Sequence, residues 1–367
     1  MTSWQRRLTS QSKRLATNRD FDVMSYGAAG DGVTDDTQAF TDAWAAACAV
    51  DYGKLILPSN RSFLIGPKTF SGPCATNLSL KVKGTIVAPS PSSWSGLSAQ
   101  TWLVFTRLNG FTIEGNGIID GQGQIWWAQS CKVNRSKAVT ISQSNNTRVK
   151  GLTFMNSPKM HLAFEKCTKV HASDLLVTAP GNSPNTDGDD CISIQTGSFN
   201  TSIKNLKCGP GHGISIGSLG QGGSFSNVSD LVVNGATLNR TTNGVRIKSW
   251  QGGKGAVSNI RFENVLMIDV ANPILIDQYY CDSTTPCHNQ TSAVEASGIK
   301  YENITGTSST ARAVNFACSD TVPCHDLFLE NVNLTLYKSD TPASSFCSNA
   351  KGRTQGVINP KSCLAES

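Results

Sequence analysis

Two periodicities divide the chain. In T-D-D-T-Q-A-F-T-D-A-W-A-A-A-C (34 to 48), Phe40, Ala43, Trp44 and Ala47 recur at three- and four-residue spacing, which predicts an amphipathic helix of about three turns. Thr34 is its expected N-cap, with Asp35 and Asp36 in the first turn, and a short apolar strand around Phe21 to Tyr26 precedes it. Beyond the helix the pattern becomes that of short strands, as in N-N-T-R-V-K-G-L-T-F-M-N-S (145 to 157), C-T-K-V-H-A-S-D-L-L-V-T-A (167 to 179) and S-N-I-R-F-E-N-V-L-M-I-D (258 to 269). Val149, Val170, Ile203, Val228 and Ile260 anchor successive phrases at gaps of 21, 33, 25 and 32 residues. This predicts a solenoid with coils of some 20 to 25 residues and loops of variable length. A coil cannot bury its apolar face alone, so coils stack and the open end needs a cap, which the helix supplies. A β-sandwich accounts for strands but not for the recurring N-x-V/I-x-x-L/V phrase. The expected fold is all-β, a right-handed parallel β-helix with an N-terminal capping helix. No linker breaks the pattern, so one domain is expected over 21–367, after a basic, disordered lead over 1–20.

Composition agrees, with 16% charged residues and 33 glycines in 367 positions. The net charge of +6 is modest: it is compatible with an acidic polymer as partner, and equally with a plain basic surface. Twelve cysteines include three close pairs, Cys191 with Cys208, Cys281 with Cys287 and Cys318 with Cys324. Zinc modules would show tight C-x2-C repeats with companion histidines, and these pairs do not. Asn-x-Ser/Thr sequons, among them Asn60, Asn77, Asn227 and Asn303, join the cysteines in favouring disulfides in an oxidising, secretory compartment. The first 20 residues hold no apolar signal-peptide core, so either the chain begins after its targeting segment or its start has been altered. No run of about 18 apolar residues suggests a membrane span.

The candidate chemistry is concentrated in Asn185, Thr186, Asp187, Gly188, Asp189, Asp190 and Cys191, with three carboxylates in four residues. One reading is a solvated turn of ordinary turn residues. The other is a carboxylate site for acid and base chemistry or for a metal, since like charges this close raise one another's pKa. The surroundings decide. S-P-N-T-D (183 to 187), G-D-D-C (188 to 191), G-P-G-H-G-I-S-I-G-S (209 to 218) and N-G-V-R-I-K-S (243 to 249) follow in order. This ordered set resembles the plant polygalacturonases, the pectin-hydrolysing glycosidases of glycoside hydrolase family 28 with a pectin-lyase-like solenoid. The likeness runs from F-D-V-M-S-Y-G-A-A-G-D-G-V-T-D-D-T to the last cysteine pairs.

The resemblance implies a secreted cell-wall enzyme that inverts α-1,4 galacturonosyl links in pectin or homogalacturonan, with neither metal nor cofactor. Asp189 would be the general acid, and Asp187 and Asp190 would hold and deprotonate the water. Mutual repulsion would keep Asp189 protonated at mildly acidic pH. His212 would sit one coil on and tune the acid; a histidine filling a glycine-rich turn is the alternative. Arg246 and Lys248 alternate on a strand, so they share a face and could clamp substrate carboxylates, with Ile247 turned inward. Tyr280 would contact substrate, or be an ordinary rim tyrosine. The partner is polygalacturonate, with no nucleic acid or membrane, and the chain is expected to be a monomer. A pectate lyase would share the fold but need a calcium site and an arginine base, against which the G-D-D, G-H-G and R-I-K set argues. In one respect the chain departs from the pattern. N-T-D and G-D-D belong on adjacent coils, yet here Asp187 and Asp189 are two residues apart, so about one coil is missing between Gly188 and Asp189. A catalytically impaired form that binds pectin or has no activity is the alternative reading.

Overall fold

The computed structural model describes residues 19–94, 101–124, 127, 137–180, 190–283 and 285–366. Their strands form two sheets of 17 and 10 members, paired in parallel from coil to coil. The stacking is visible as apolar columns. On the larger sheet Val149, Ala172, Ile203, Val233, Phe262 and Tyr301 lie in register. Across the core on the smaller sheet run Val139, Leu162, Ile192, Ile214, Val245 and Ile274. All are buried. At roughly 1.5–3 kcal/mol per large buried aliphatic side chain, these two columns are a main source of stability.

The register gives the coil lengths. Val149 pairs with Ala172 23 residues on and Ile192 with Ile214 22 on, within the expected 20 to 25, while Ala172 pairs with Ile203 after 31, Ile203 with Val233 after 30 and Phe262 with Tyr301 after 39. Coils of the expected length thus stand beside others extended by loops. The sequence anchors fell in three different columns: Val170 pairs with Thr201, and Val228 with Ser198, rather than with one another. A solenoid strand has several inward positions, so matching apolar residues between coils does not by itself fix register.

The capping helix runs Thr37–Cys48 and not from Thr34, which lies in the strand Asp31–Asp35. Asp31 explains the difference, because its carboxylate accepts from the backbone N and hydroxyl of Thr34 and holds it outside the helix. Asp36 is the N-cap residue, and its side chain accepts from Ala29 N and Gly30 N, fixing the preceding turn. The predicted apolar face is the buried one: Phe40 and Trp44 meet the Phe70 ring at 4.9 and 5.0 Å, and Trp44 meets Phe111 at 5.6 Å. Of the strand expected around Phe21 to Tyr26, Asp20–Asp22 forms, and Val23–Tyr26 instead makes a 3-10 turn begun by the Asp22 carboxylate accepting from Met24 N. The lead up to residue 18 lies outside the described residues.

The three anticipated cysteine pairs are disulfides, joined by Cys48–Cys74 and Cys347–Cys363. Cys167 is a buried free thiol, and Cys131 lies outside the described residues. Asparagines at coil turns form a ladder: Asn264 donates to Asn234, Asn303 to Asn264 and Asn331 to Asn303. No helix among the described residues is long and apolar enough to cross a membrane.

Candidate active site

Four neighbouring strands of the smaller sheet, Ile192–Ile194, Ile214–Leu219, Asn243–Trp250 and Asn272–Tyr280, carry the described site residues or stand next to them. Asp190 and His212 each stand two residues before a paired position, Ile192 and Ile214, so they stack on adjacent coils. In the same register one coil back stands Met160, two residues before Leu162. The Asp190 carbonyl accepts from His161 N at 3.1 Å, and Cys191 N donates to Gly213 O at 2.8 Å, which holds this coil between its neighbours. Gly213 has φ +75°, and a Cβ there would lie 2.0 Å from Asn243 O, so the second glycine of G-H-G is set by the close approach of the next coil.

Asp190 is the centre of a buried ion cluster. Its Oδ1 accepts from Ser215 Oγ at 2.7 Å and from the Arg246 guanidinium at 3.0 Å, and its Oδ2 accepts from Lys248 Nζ at 3.1 Å. Arg246 Nε also donates to Ser215 Oγ at 3.0 Å, so the serine relays between guanidinium and carboxylate. Burial would raise the Asp190 carboxyl, but Lys248 and Arg246, helped by Ser215 and His212, outweigh it and hold the pKa at about 2. Burial acts in the opposite sense on Lys248 and pushes its ammonium down to about 8, against the pull of Asp190. Ile247, between the two cations, lies in the hydrophobic core, as the strand alternation predicts.

Tyr280 closes the upper end of this cluster. Lys248 Nζ lies 5.3 Å from its ring centroid, and Trp250 meets it edge-on at 5.8 Å. Burial, with help from Asp282, pushes the Tyr280 hydroxyl up to about 12. Asp277, whose carboxylate accepts from Tyr279 N, is also raised by burial. Among the described residues no group of three or more His, Cys, Asp or Glu side chains could hold a metal ion.

The structure thus brings together Asp190, His212, Arg246, Lys248 and Tyr280. Asp187 and Asp189 lie outside the described residues. One sequence expectation is qualified. Arg246 and Lys248 share a face, but in this state both are engaged by Asp190 instead of standing open for substrate. Sequence reasoning missed Ser215, Lys159 and Asp282. Ser215 was legible within G-I-S-I-G-S as the position paired with Arg246. The other two are brought close by loops, with Lys159 Nζ 3.8 Å from Asp282.

Known proteins share both fold and sequence. A probable polygalacturonase of Arabidopsis thaliana is 44% identical over 98% of this chain and 87% of its own length. A polygalacturonase of Chamaecyparis obtusa is 48% identical over 93% of this chain and 71% of its own. The solved endo-xylogalacturonan hydrolase of Aspergillus tubingensis superposes with a TM-score of 0.68 at 21% identity, covering 90% of this chain and 98% of that one, and so attests the β-helix fold. The Arabidopsis alignment runs 388 positions against 98% of 367 residues, so about 28 positions face no residue here, close to one coil. The family model matches in two stretches, 49–189 and 187–363, meeting where N-T-D and G-D-D are fused. The two stretches take in every site residue from the carboxylate run to Tyr280, and the chain belongs to glycosyl hydrolases family 28.

Proposed function

We propose that the chain is a polygalacturonase that hydrolyses α-1,4 galacturonosyl links of pectin with inversion, secreted to the cell wall and working as a monomer. The observation that carries this reading is the Asp190, Arg246 and Lys248 cluster, which gathers two cations around one carboxylate on a sheet face of a family 28 member. Such a face suits a polymer bearing one carboxylate per sugar. Held at about 2, Asp190 is ionised at every working pH, so it serves as acceptor for the attacking water and not as acid. The acid is assigned to Asp189, with Asp187 as the second water-holding carboxylate. His212 sits beside Asp190 and lowers its pKa through charge. Arg246 and Lys248 turn to the substrate carboxylate as it enters, sharing it with Asp190. The further reading that one coil is absent between Gly188 and Asp189 is supported by the break in the family match.

The test is reducing-end release from polygalacturonate at about pH 5, near the working range of a carboxylic acid catalyst, with Asp189→Asn as control. The chain is expected to exceed the mutant by at least about a hundredfold, as for loss of a general acid. Equal release by the two would mean that this form does not hydrolyse pectin.

A further inference from the structure

Lys159 and Asp282 come from distant coils. Lys159 lies three residues before Leu162, on the coil below Asp190, and Asp282 lies two residues past Tyr280, on the third coil above it. The register Leu162, Ile192, Ile214, Val245, Ile274 places four coil steps between them. At ~4.8 Å per step that is ~19 Å of solenoid axis. Their charged groups nonetheless stand 3.8 Å apart. Both loops must therefore lean along the face that holds Asp190, Arg246 and Lys248, and the pair spans it lengthwise.

The Lys159 loop is built to hold its position. Ser157 Oγ accepts from Lys159 N at 3.3 Å and donates to Met160 O at 2.7 Å, while Trp127 Nε1 donates to Ser157 O at 3.0 Å. Asp282 follows Cys281, which is tied to Cys287. The Lys159 side chain is only 11% exposed and that of Asp282 22%. At 3.8 Å the pair is about 1 Å longer than a charge-assisted hydrogen bond, so among the described residues the ammonium holds Asp282 as a loose ion pair. Lys159 is also near enough to Lys248 for its charge to add to the lowering that burial imposes on that ammonium. Three cations thus lie close together on one face, and Asp190 is in ion-pair contact with Arg246 and Lys248.

We propose that Lys159 is a third carboxylate-binding cation of the cleft, and that Asp282 occupies the place of a galacturonate carboxylate until substrate displaces it. The proposal rests on the polygalacturonate reading above and names a specificity residue within it. Lys159 selects for unesterified sugars, because a methyl ester offers it no charge. Asp282 competes with substrate and keeps the buried ammonium paired in the empty enzyme.

The test compares Lys159→Gln, Lys159→Arg and Asp282→Asn with wild type, on polygalacturonate and on highly methyl-esterified pectin, alongside calorimetric binding of trigalacturonate. In Lys159→Gln the KM for polygalacturonate should rise about tenfold, the worth of one charge-assisted contact, and the preference for polygalacturonate over esterified pectin should fall by a like factor. Lys159→Arg should restore most of the preference, and Asp282→Asn should tighten trigalacturonate binding. An unchanged preference in Lys159→Gln, or weaker trigalacturonate binding in Asp282→Asn, would overturn the proposal while leaving the enzyme reading intact. A wild-type chain that neither binds trigalacturonate nor cleaves polygalacturonate would overturn both.

Discussion

Asp190→Asn removes the one anion shown to hold Arg246 and Lys248, and its consequences can be worked from the cluster. At neutral pH the variant leaves two buried cations without that counter-charge, and breaking a buried ion pair from one side costs about 3–5 kcal/mol. The proton linkage gives a second handle. The Asp190 carboxyl sits at about 2 in the fold against 3.8 for an unperturbed group. A carboxyl depressed in the folded state contributes stability that is fully present above the unfolded value and is lost as pH falls through the folded one. The window is therefore pH 4 to 2, and the amount is about 2–3 kcal/mol. The linkage figure is the smaller because protonation removes charge from Asp190 alone and keeps its hydrogen-bonding oxygens. Urea unfolding followed by circular dichroism, at pH 7 and in steps from pH 5 to pH 2, reads both quantities. Asp190→Asn should lose 3–5 kcal/mol at pH 7 and lack the acid step, and adding Lys248→Met should recover part of the loss by removing one orphaned cation. Equal stability of Asp190→Asn and wild type at pH 7, or an undiminished acid step in the variant, would refute the charge assignment.

Replacing Cys48 and Cys74 together by Ala opens a 26-residue loop that ties the capping helix to the first coils. Chain entropy puts the loss at about 3.5 kcal/mol, read from the denaturation midpoint; a shift of under 1 kcal/mol would mean that the cap is held by its aromatic contacts alone. Gly213→Ala places a Cβ 2.0 Å from Asn243 O, so trigalacturonate affinity should fall at least tenfold as the coils above and below part, and retained affinity would show that the coil spacing there is slack. Inserting a 22-residue coil between Gly188 and Asp189, the length from Ile192 to Ile214, should raise the rate on polygalacturonate at least about a hundredfold by returning N-T-D and G-D-D to separate coils. An unaltered rate would show that the fused arrangement is already competent.

The solenoid was legible because its repeat is local: each apolar residue that alternates on a strand reports a buried column, and Val149, Ile203 and Ile260 were buried as read. The register was not legible, because Thr147 and Thr201 also fill inward positions and a small polar residue gives no hydropathy signal. The helix start failed for a related reason. Thr34 is a good cap in isolation, but Asp31 competes for its backbone N and wins. In the site, the R-I-K alternation foretold one face for Arg246 and Lys248, since strand geometry alone decides that. That face did not reveal its occupant, because Asp190 reaches both cations from two coils away and no spacing rule relates position 190 to 246 and 248.

Every described side-chain hydrogen bond to the Asp190 carboxylate comes from later coils: Ser215 on the next, Arg246 and Lys248 on the one after. The earlier side contributes the buried His161, whose backbone N donates to the Asp190 carbonyl and whose ring feels the Asp190 charge, and the Met160 register position. On the reading that a coil is absent between Gly188 and Asp189, its loss leaves the hydrogen bonds of the carboxylate in place, which would explain how the ion cluster persists while the catalytic motifs are fused. Solenoid contacts run only between neighbours, so Leu162 can pair with Ile192 as well as any coil pairs with the next. The same absence would bring Lys159 nearer to Asp282 by one step, ~4.8 Å, so an added coil would be expected to part the pair now 3.8 Å apart. On the reading that a coil is absent, the coil that would separate the acid from its water is also the one that would draw Lys159 away from Asp282.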